Sequence, residues 1–174
     1  MLINTQKGFT IIAIMLVVVV MTTLLAVLAP KIGQMRADNR TQSVANELGA
    51  ALRQARSESL TRRTTLTFAS LDSSDTTNPW GKGGWRLSDV ATGNNIAQEA
   101  TLPVYTTITS NPAVATMRFA GASGLVTNTD GSILDISFLV CDSQVTTELG
   151  HTVTLSRFGR IAVTRNTNTT ACNP

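Results

Sequence analysis

The chain has 174 residues, a formal net charge of +3 and 43% hydrophobic residues, but only 5% aromatic residues. About 145 residues follow the apolar run at the N-terminus, which is enough for one globular domain and too few for two. The small charge excess does not by itself indicate a nucleic-acid partner. The two cysteines and the one histidine lack the spacing of a metal site.

A short leader and a long apolar segment open the chain. Residues 1–8 carry one basic residue, Lys7, and end at Gly8; Phe9 then begins a run without charge that ends at Ala29, before Pro30. A helix of ~20 apolar residues spans the hydrocarbon of a bilayer. A cleaved secretory signal fits less well, because its apolar stretch has only ~7–15 residues. A plain signal anchor explains the length equally well.

The charges beside this segment do not settle its orientation. Lys7 precedes it, but Lys31, Arg36 and Arg40 follow it. The positive-inside rule alone would place the C-terminal part in the cytoplasm. A disulfide between the two cysteines would require the opposite topology, because disulfides persist in oxidising compartments.

Beyond Pro30 the pattern predicts that the helix continues to about Leu60. Apolar residues recur there at helical spacing, while most charged residues lie on other faces. We expect this stripe to pack on the domain, and we expect the first half of the helix to lie in lipid or among other subunits. A weak point is expected at Pro30 and Gly33. The apolar positions are Val44, Leu48, Leu52 and Ala55.

From Thr64 onward, short β-prone runs alternate with turn residues, which predicts an antiparallel β domain. Residues 94–95 and 121–131 are expected to be loops. Arg157, Phe158 and Gly159 suit a three-residue hairpin connection with glycine at the left-handed position. The predicted strands are Thr64–Leu71, Trp85–Asp89, Thr101–Ile108, Thr116–Ala120, Ile133–Cys141, Thr152–Ser156 and Arg160–Thr164.

The two cysteines have two interpretations. Cys141 and Cys172 would close a loop of about 30 residues in an oxidising compartment and stabilise the fold by roughly 3 kcal/mol. Alternatively they are two unpaired thiols. The position of Cys172 near the chain end favours a bridge that holds the tail.

No group of side chains has the arrangement of a catalytic site, so we expect no enzyme activity, no cofactor and no metal. His151 follows Gly150 where a strand is predicted to begin, and a solvated turn residue is expected. The acidic residues are scattered, without an acid and base pair. Trp85 is expected to pack into the domain and Trp80 to cap a loop, although the two could also form a ligand platform.

The start of the chain resembles the type III signal of type IV pilins and type II secretion pseudopilins, in the sequence Gly8-Phe9-Thr10-Ile11-Ile12. The resemblance implies that prepilin peptidase cuts after Gly8 and methylates Phe9, while the apolar segment stays on the protein. Pro30 stands where this family commonly has its helix-kinking proline.

The rest of the chain is similar, in order, to GspH/FimT/FimU-like minor pilins. The resemblance implies an α+β pilin fold, with a long N-terminal helix packed on a small antiparallel β domain. The implied parts are a leader (1–8), a membrane or filament-core helix (9–30), its amphipathic continuation (31–62) and the β domain (63–174). The similar segments are Asn46–Arg63, Trp80, Gly84–Asp89, Phe119–Gly124, Phe138–Cys141 and Ser156–Arg160.

The resemblance implies a minor pilin that enters a type IV pilus at low copy and initiates or caps it. Its implied partners are other minor and major pilins, the inner membrane and prepilin peptidase. The chain would cross the inner membrane once with its C-terminal domain in the periplasm, and would later join the filament. The two cysteines suit the pilus branch better than the secretion branch, and the alternative is a GspH-like pseudopilin of a type II secretion system.

Two positions depart from the family patterns. The fifth residue after the implied cut is usually glutamate, but here it is Ala13, which favours a low-copy subunit near a filament end over a shaft subunit. FimT-like minor pilins that bind DNA in natural transformation carry Gly-Arg-x-Arg, and here Gly159-Arg160-Ile161-Ala162 keeps half of it. A DNA-binding role is therefore an alternative, with candidate residues Arg157, Arg160 and Arg165. Strand parity places Arg160 and Arg165 on different faces.

Overall fold

The computed structural model describes residues 11–72, 78–81, 83–99, 101–144, 150–166 and 172, with no side chains described for residues 27–30. The leader, Gly8 and Phe9 lie outside the described residues. One helix, α1 (Ile11–Arg62), precedes all the strands. It is continuous through Pro30 and Gly33, and it ends two residues beyond the predicted end at Leu60.

Nine strands in the described part form two antiparallel sheets. Sheet A has the strand order β3-β2-β1-β5-β6, and sheet B has the order β4-β7-β8-β9. Together with α1 they confirm the predicted α+β pilin fold. The strands are β1 (Leu66–Ser70), β2 (Trp85–Asp89), β3 (Asn95–Glu99), β4 (Thr106–Asn111), β5 (Thr116–Phe119), β6 (Val126–Thr127), β7 (Ile136–Asp142), β8 (His151–Leu155) and β9 (Ile161–Arg165).

The second half of α1 packs on the sheets through the predicted apolar stripe. Val44, Leu48, Leu52 and Ala55 are all fully buried or nearly so. The helix contacts mainly β7, β8 and β9 of sheet B, and also β1 and β5 of sheet A. Burial of each large aliphatic side chain is worth about 1.5–3 kcal/mol, so this stripe fixes the helix on the domain.

Trp80 lies in the centre of the core, so the prediction that it caps a loop is wrong. Its side chain is 1% exposed and stacks on Phe68 of sheet A at 5.7 Å between ring centroids. Its other contact is edge-on to Phe138 of sheet B, at 5.2 Å. The indole nitrogen donates to the Val114 carbonyl at 2.6 Å. A buried Trp needs such an acceptor, and the loop that carries Trp80 brings the ring between the two sheets.

Two strands were not predicted, and two predicted strands begin three or more residues later in the structure, one of which is β7, at Ile136 instead of Ile133. Asn95–Glu99 forms the edge strand β3, which the sequence pattern missed because its side chains are mostly exposed and have low β propensity. The short strand β6 lies within the predicted loop 121–131. The predicted strand at Thr101–Ile108 begins only at Thr106, because Pro103 cannot donate to a ladder and Tyr105 has a φ of 72°.

The predicted hairpin at the end of the chain is confirmed, with β8 and β9 each one residue away from the expected bounds. Val153 faces Val163, and Leu155 faces Ile161. Gly159 has a φ of 73°, and its N–H donates to the Ser156 carbonyl at 2.7 Å. In the structure a disulfide joins Cys141, on β7, to Cys172. The tail is thereby attached to sheet B beside the start of β8.

His151 is buried in β8, so the expectation of a solvated turn residue is wrong. It is 5% exposed, and its Nδ1 lies 3.2 Å from the hydroxyl of Thr41 on α1. Burial lowers the pKa of His151 below its ordinary value of 6.5, with Asp38 raising and Arg165 lowering it to a smaller extent. The neutral ring therefore belongs to the contact between helix and sheet.

We expect the full chain in detergent to lose stability as the pH falls below 6.5. The pKa of His151 is lower in the folded than in the unfolded chain, so the unfolded chain takes up this proton first as the pH falls. The free energy of unfolding is therefore highest above pH 6.5 and decreases as the pH drops from 6.5 through the folded pKa. Urea denaturation at about pH 7.5 and about pH 5.5 measures this change. His151→Gln should have a smaller pH dependence, and an equal dependence in both proteins would contradict the assignment.

Candidate functional site

The first half of α1 has an apolar surface that no described part of the chain covers. Its large apolar side chains between residues 11 and 25 are 48–73% exposed. We call residues 11–26 the uncovered segment. Exposed apolar patches larger than a few hundred Å² mark membrane or protein contacts, so this surface needs lipid or other subunits around it. The exposed residues are Ile11, Ile12, Ile14, Met15, Leu16, Val17, Val18, Val19, Val20, Met21, Leu24 and Leu25.

The only hydroxyl groups of the uncovered segment are satisfied within the helix. Thr22 donates to the Val19 carbonyl at 2.9 Å, and Thr23 donates to the Val20 carbonyl at 2.8 Å. Such bonds remove the cost of placing a hydroxyl in hydrocarbon. By length and composition α1 is apolar enough to cross a membrane, with a mean hydropathy of 3.1 over its best window. It is compatible with a membrane anchor.

Two of the three predicted DNA-binding arginines are held in ion pairs. Arg157 donates to Asp135 through its backbone N–H at 2.6 Å, through Nε at 2.8 Å and through Nη2. This bidentate pair lowers the pKa of Asp135 and raises that of Arg157. Arg165 binds Asp38 of α1 at 3.2 Å. Both positive charges are therefore partly neutralised by acidic neighbours.

Arg160 stands apart from Arg157 and Arg165 and lies beside two arginines of the helix. It lines a groove of about 500 Å³ together with Arg53 and Arg56. We call this the arginine groove. Among the described residues that line it none is acidic, and neither Arg53 nor Arg160 makes an ion pair within the described part. Phosphate binding requires cations that can act together, and this groove brings three arginines to one place.

Arg56 connects the helix to the hairpin and also fixes the shape of the groove. Its Nη1 donates to the Gly159 carbonyl at 2.9 Å. Its Nε is buried and has no hydrogen-bond partner in the described part. A Cβ on residue 159 would lie 2.4 Å from that Nε. Glycine is therefore required at position 159, both by the left-handed backbone and by the close approach of Arg56. These two constraints explain the glycine of the Gly-Arg motif.

Sequence reasoning found Arg160 but not its partners on the helix. Arg53 and Arg56 are three residues apart, so their common face is visible in the sequence. Their proximity to the hairpin is not visible, because it depends on how α1 lies across sheet B. Conversely, Asp135 and Asp38 gave no sign that they would pair with Arg157 and Arg165.

The family model described as type II transport protein GspH matches residues 44–159, which are 116 of the 174 residues. The chain belongs to the GspH family. None of the curated proteins matches this sequence significantly. Among solved structures, two crystal forms of the type IV minor pilin FimU of Pseudomonas aeruginosa (strain PAO1) are similar to it.

The FimU similarity extends over most of both proteins. One form has a TM-score of 0.59 and 26% identity, and the match covers 72% of this chain and 89% of that chain. The other has a TM-score of 0.53 and 27% identity, and covers 71% and 91%. This confirms the predicted resemblance to GspH/FimU-like minor pilins. Members of this group are structural subunits, so the uncovered segment and the arginine groove are considered as contact surfaces.

We expect Gly159→Ala to destabilise this GspH-family protein more than Gly93→Ala. Both glycines have a positive φ, of 73° and 70°, and alanine in this region costs roughly 1–2 kcal/mol. An added Cβ meets nothing within 4 Å at Gly93, but at Gly159 it displaces Arg56. Urea denaturation of both variants gives the difference, and equal losses would contradict the role assigned to the Arg56 contact.

Proposed function

We propose that this chain is a minor pilin of a type IV pilus, cut after Gly8 by prepilin peptidase and incorporated at low copy to initiate or cap the filament. The observation that carries the proposal is the uncovered segment, on the same helix that holds a FimU-like domain. Residues 1–8 would be the leader, 9–30 the anchor and filament-core helix, 31–62 its continuation, and 63–174 the β domain.

The energetics of the uncovered segment support a subunit that moves from membrane to filament. In the inner membrane its side chains contact lipid, and in a filament they contact the helices of other pilins. Both surroundings are apolar, so the transfer is nearly balanced. The disulfide between Cys141 and Cys172 supports a periplasmic domain, because such bonds persist in that compartment.

Ala13 supports a place near a filament end. A glutamate at this position in pilins is thought to pair with the terminal amine of a neighbouring subunit, since an unpaired charge in an apolar bundle is costly. Ala13 cannot form that pair. A subunit that occurs once or a few times can lack the pair more easily than one that repeats along the shaft.

The processing step is tested with the full chain produced together with prepilin peptidase. Mass spectrometry should find Phe9 as the N-terminus, with one added methyl group. Gly8→Leu should keep the leader, because a bulky residue would block the cut. Gly33→Ala is the matched control, since a Cβ at Gly33 meets nothing within 4 Å. Met1 retained in the wild type would overturn the pilin proposal.

The cellular role is tested by deleting the chain in its host. A minor pilin of a type IV pilus should be needed for normal numbers of surface pili and should occur in sheared pili at low copy. A pseudopilin of a type II secretion system should leave pili intact, and its loss should retain exoproteins in the periplasm. That second result would favour the GspH-like alternative.

A second candidate function is DNA binding, which the grouping of Arg160 with Arg53 and Arg56 favours. Phe158 directly precedes Gly159, which lines the groove, and its side chain is 68% exposed. An aromatic ring beside several cations suits a nucleic-acid strand. Arg157 and Arg165 contribute less, because acidic partners engage both.

We expect duplex DNA to bind the full chain in a gel shift, and Arg53→Gln with Arg160→Gln to weaken that binding. A plot of log affinity against log salt has a negative slope, and each lost phosphate contact should make that slope shallower by about 1. Arg157→Gln is the control, because this arginine is held by Asp135. Unchanged binding in the double variant, or no binding by the wild type, would exclude the arginine groove as a DNA site.

A further inference from the structure

A second polar concavity lies where α1 leaves its apolar half. It has a volume of about 740 Å³ and is lined by Gly33, Arg36, Asn39, Arg40 and Gln144. We call it the juxtamembrane pocket. Gly33, Arg36 and Arg40 follow the spacing i, i+3, i+7 and so share one face of the helix. Gln144 comes from the residues that follow β7, so the pocket lies between the helix and sheet B.

The charge in the juxtamembrane pocket is only partly compensated. Arg40 is engaged, because its Nη2 binds the buried Asp142 at 2.9 Å and its guanidinium lies over the Tyr105 ring, 5.7 Å from the centroid. Its Nε is buried without a hydrogen-bond partner in the described part. Arg36 is exposed and makes no ion pair among the described residues. Like charges four residues apart repel on a helix. An anion beside Arg36 would compensate the charge that Asp142 does not.

The lining offers donors for an oxyanion. Two guanidinium groups and the side-chain amides of Asn39 and Gln144 can all donate, and none of the described lining residues is acidic. Guanidinium groups match the geometry of phosphate oxygens. The space around Gly33 is open, because an added Cβ would meet nothing within 4 Å. The pocket is thus open, cationic and rich in hydrogen-bond donors.

The depth of the pocket matches the headgroup layer. Gly33 follows Ala29, the last residue of the apolar run, by four positions, which is about 6 Å along a helix. The polar layer on each side of the hydrocarbon is ~5–8 Å thick. Arg36 and Arg40 follow Ala29 by seven and eleven positions, which is about 10 and 16 Å along a helix. Side chains on a helix lean toward its N-terminus, so Arg36 can reach back into this layer and Arg40 lies above it. Lys31 adds a further exposed cation on this stretch.

We propose that the juxtamembrane pocket binds the phosphate of an anionic phospholipid headgroup while the chain waits in the membrane. The proposal rests on the proposed membrane anchor. Arg36 is the main ligand, and the side-chain amides of Asn39 and Gln144 are further donors at the rim of the pocket. Arg40 stays bound to Asp142. Bound lipid would orient the β domain against the membrane surface, and the headgroup would be released when the subunit enters a filament.

The experiment uses the full chain in a neutral detergent and native mass spectrometry with phosphatidylglycerol and phosphatidylcholine of the same acyl chains. One phosphatidylglycerol should bind several-fold more tightly than phosphatidylcholine. Arg36→Gln should weaken phosphatidylglycerol binding about fivefold, the usual effect of one cation near an anionic surface. Arg86→Gln is the control, because Arg86 is exposed on β2, away from the apolar half of α1.

A second variant changes the shape of the pocket without changing its charge, at a position where the substitution should not disturb folding. Gly33→Leu should fill the open space of the pocket and weaken phosphatidylglycerol binding, while a leucine in the helix is better tolerated than glycine. Equal affinity for the two lipids, or a wild-type affinity in both Arg36→Gln and Gly33→Leu, would overturn the site. Displacement of the lipid by equimolar inorganic phosphate would overturn the choice of a lipid as the ligand.

Flotation with phosphatidylcholine vesicles separates this proposal from the one on which it rests. If the chain does not float with the vesicles, the membrane anchor fails, and the headgroup site fails with it. If the chain floats but shows no preference for phosphatidylglycerol in mass spectrometry, only the headgroup site fails.

Discussion

The rest of the structure depends on one constraint: the two halves of a single 52-residue helix have different environments. Its second half buries Val44, Leu48 and Leu52 on the sheets, while its first half has no cover in the described part of the chain. Hydrophobic burial fixes the second half within the domain. The same effect favours an apolar environment, such as lipid or neighbouring helices, around the first half.

Sheet B holds the helix by polar contacts as well as by the apolar stripe. The hydroxyl of Thr41 contacts the ring of the buried His151, and Arg40 forms an ion pair with Asp142. Farther along the helix, Arg56 donates a hydrogen bond to the Gly159 carbonyl of the hairpin. The disulfide attaches the tail beside Asp142 and the start of β8, at the end of the sheet where Thr41 and Arg40 make their contacts. Buried polar groups need partners with correct geometry, so these contacts select one position of the helix on the sheet. Apolar packing alone would specify that position less strictly.

The two cationic surfaces differ in what surrounds them. The arginine groove lies at the end of the helix far from the apolar half, between α1 and the tip of the hairpin. The juxtamembrane pocket lies where the helix leaves its apolar half. Both are lined by arginines, with no acidic residue among the described lining residues. The two surfaces therefore lie toward opposite ends of the second half of α1.

The sequence by itself determined the fold family and the long helix, because uncharged length, helical spacing and the β-prone runs are local properties of the chain. It also predicted the final hairpin, since Gly159 is a local requirement of the turn. Only the tertiary structure placed Trp80 between the sheets, buried His151, paired Arg157 with Asp135 and brought Arg160 to Arg53 and Arg56. These outcomes depend on contacts between residues far apart in the chain, and local patterns do not encode which distant side chains will meet.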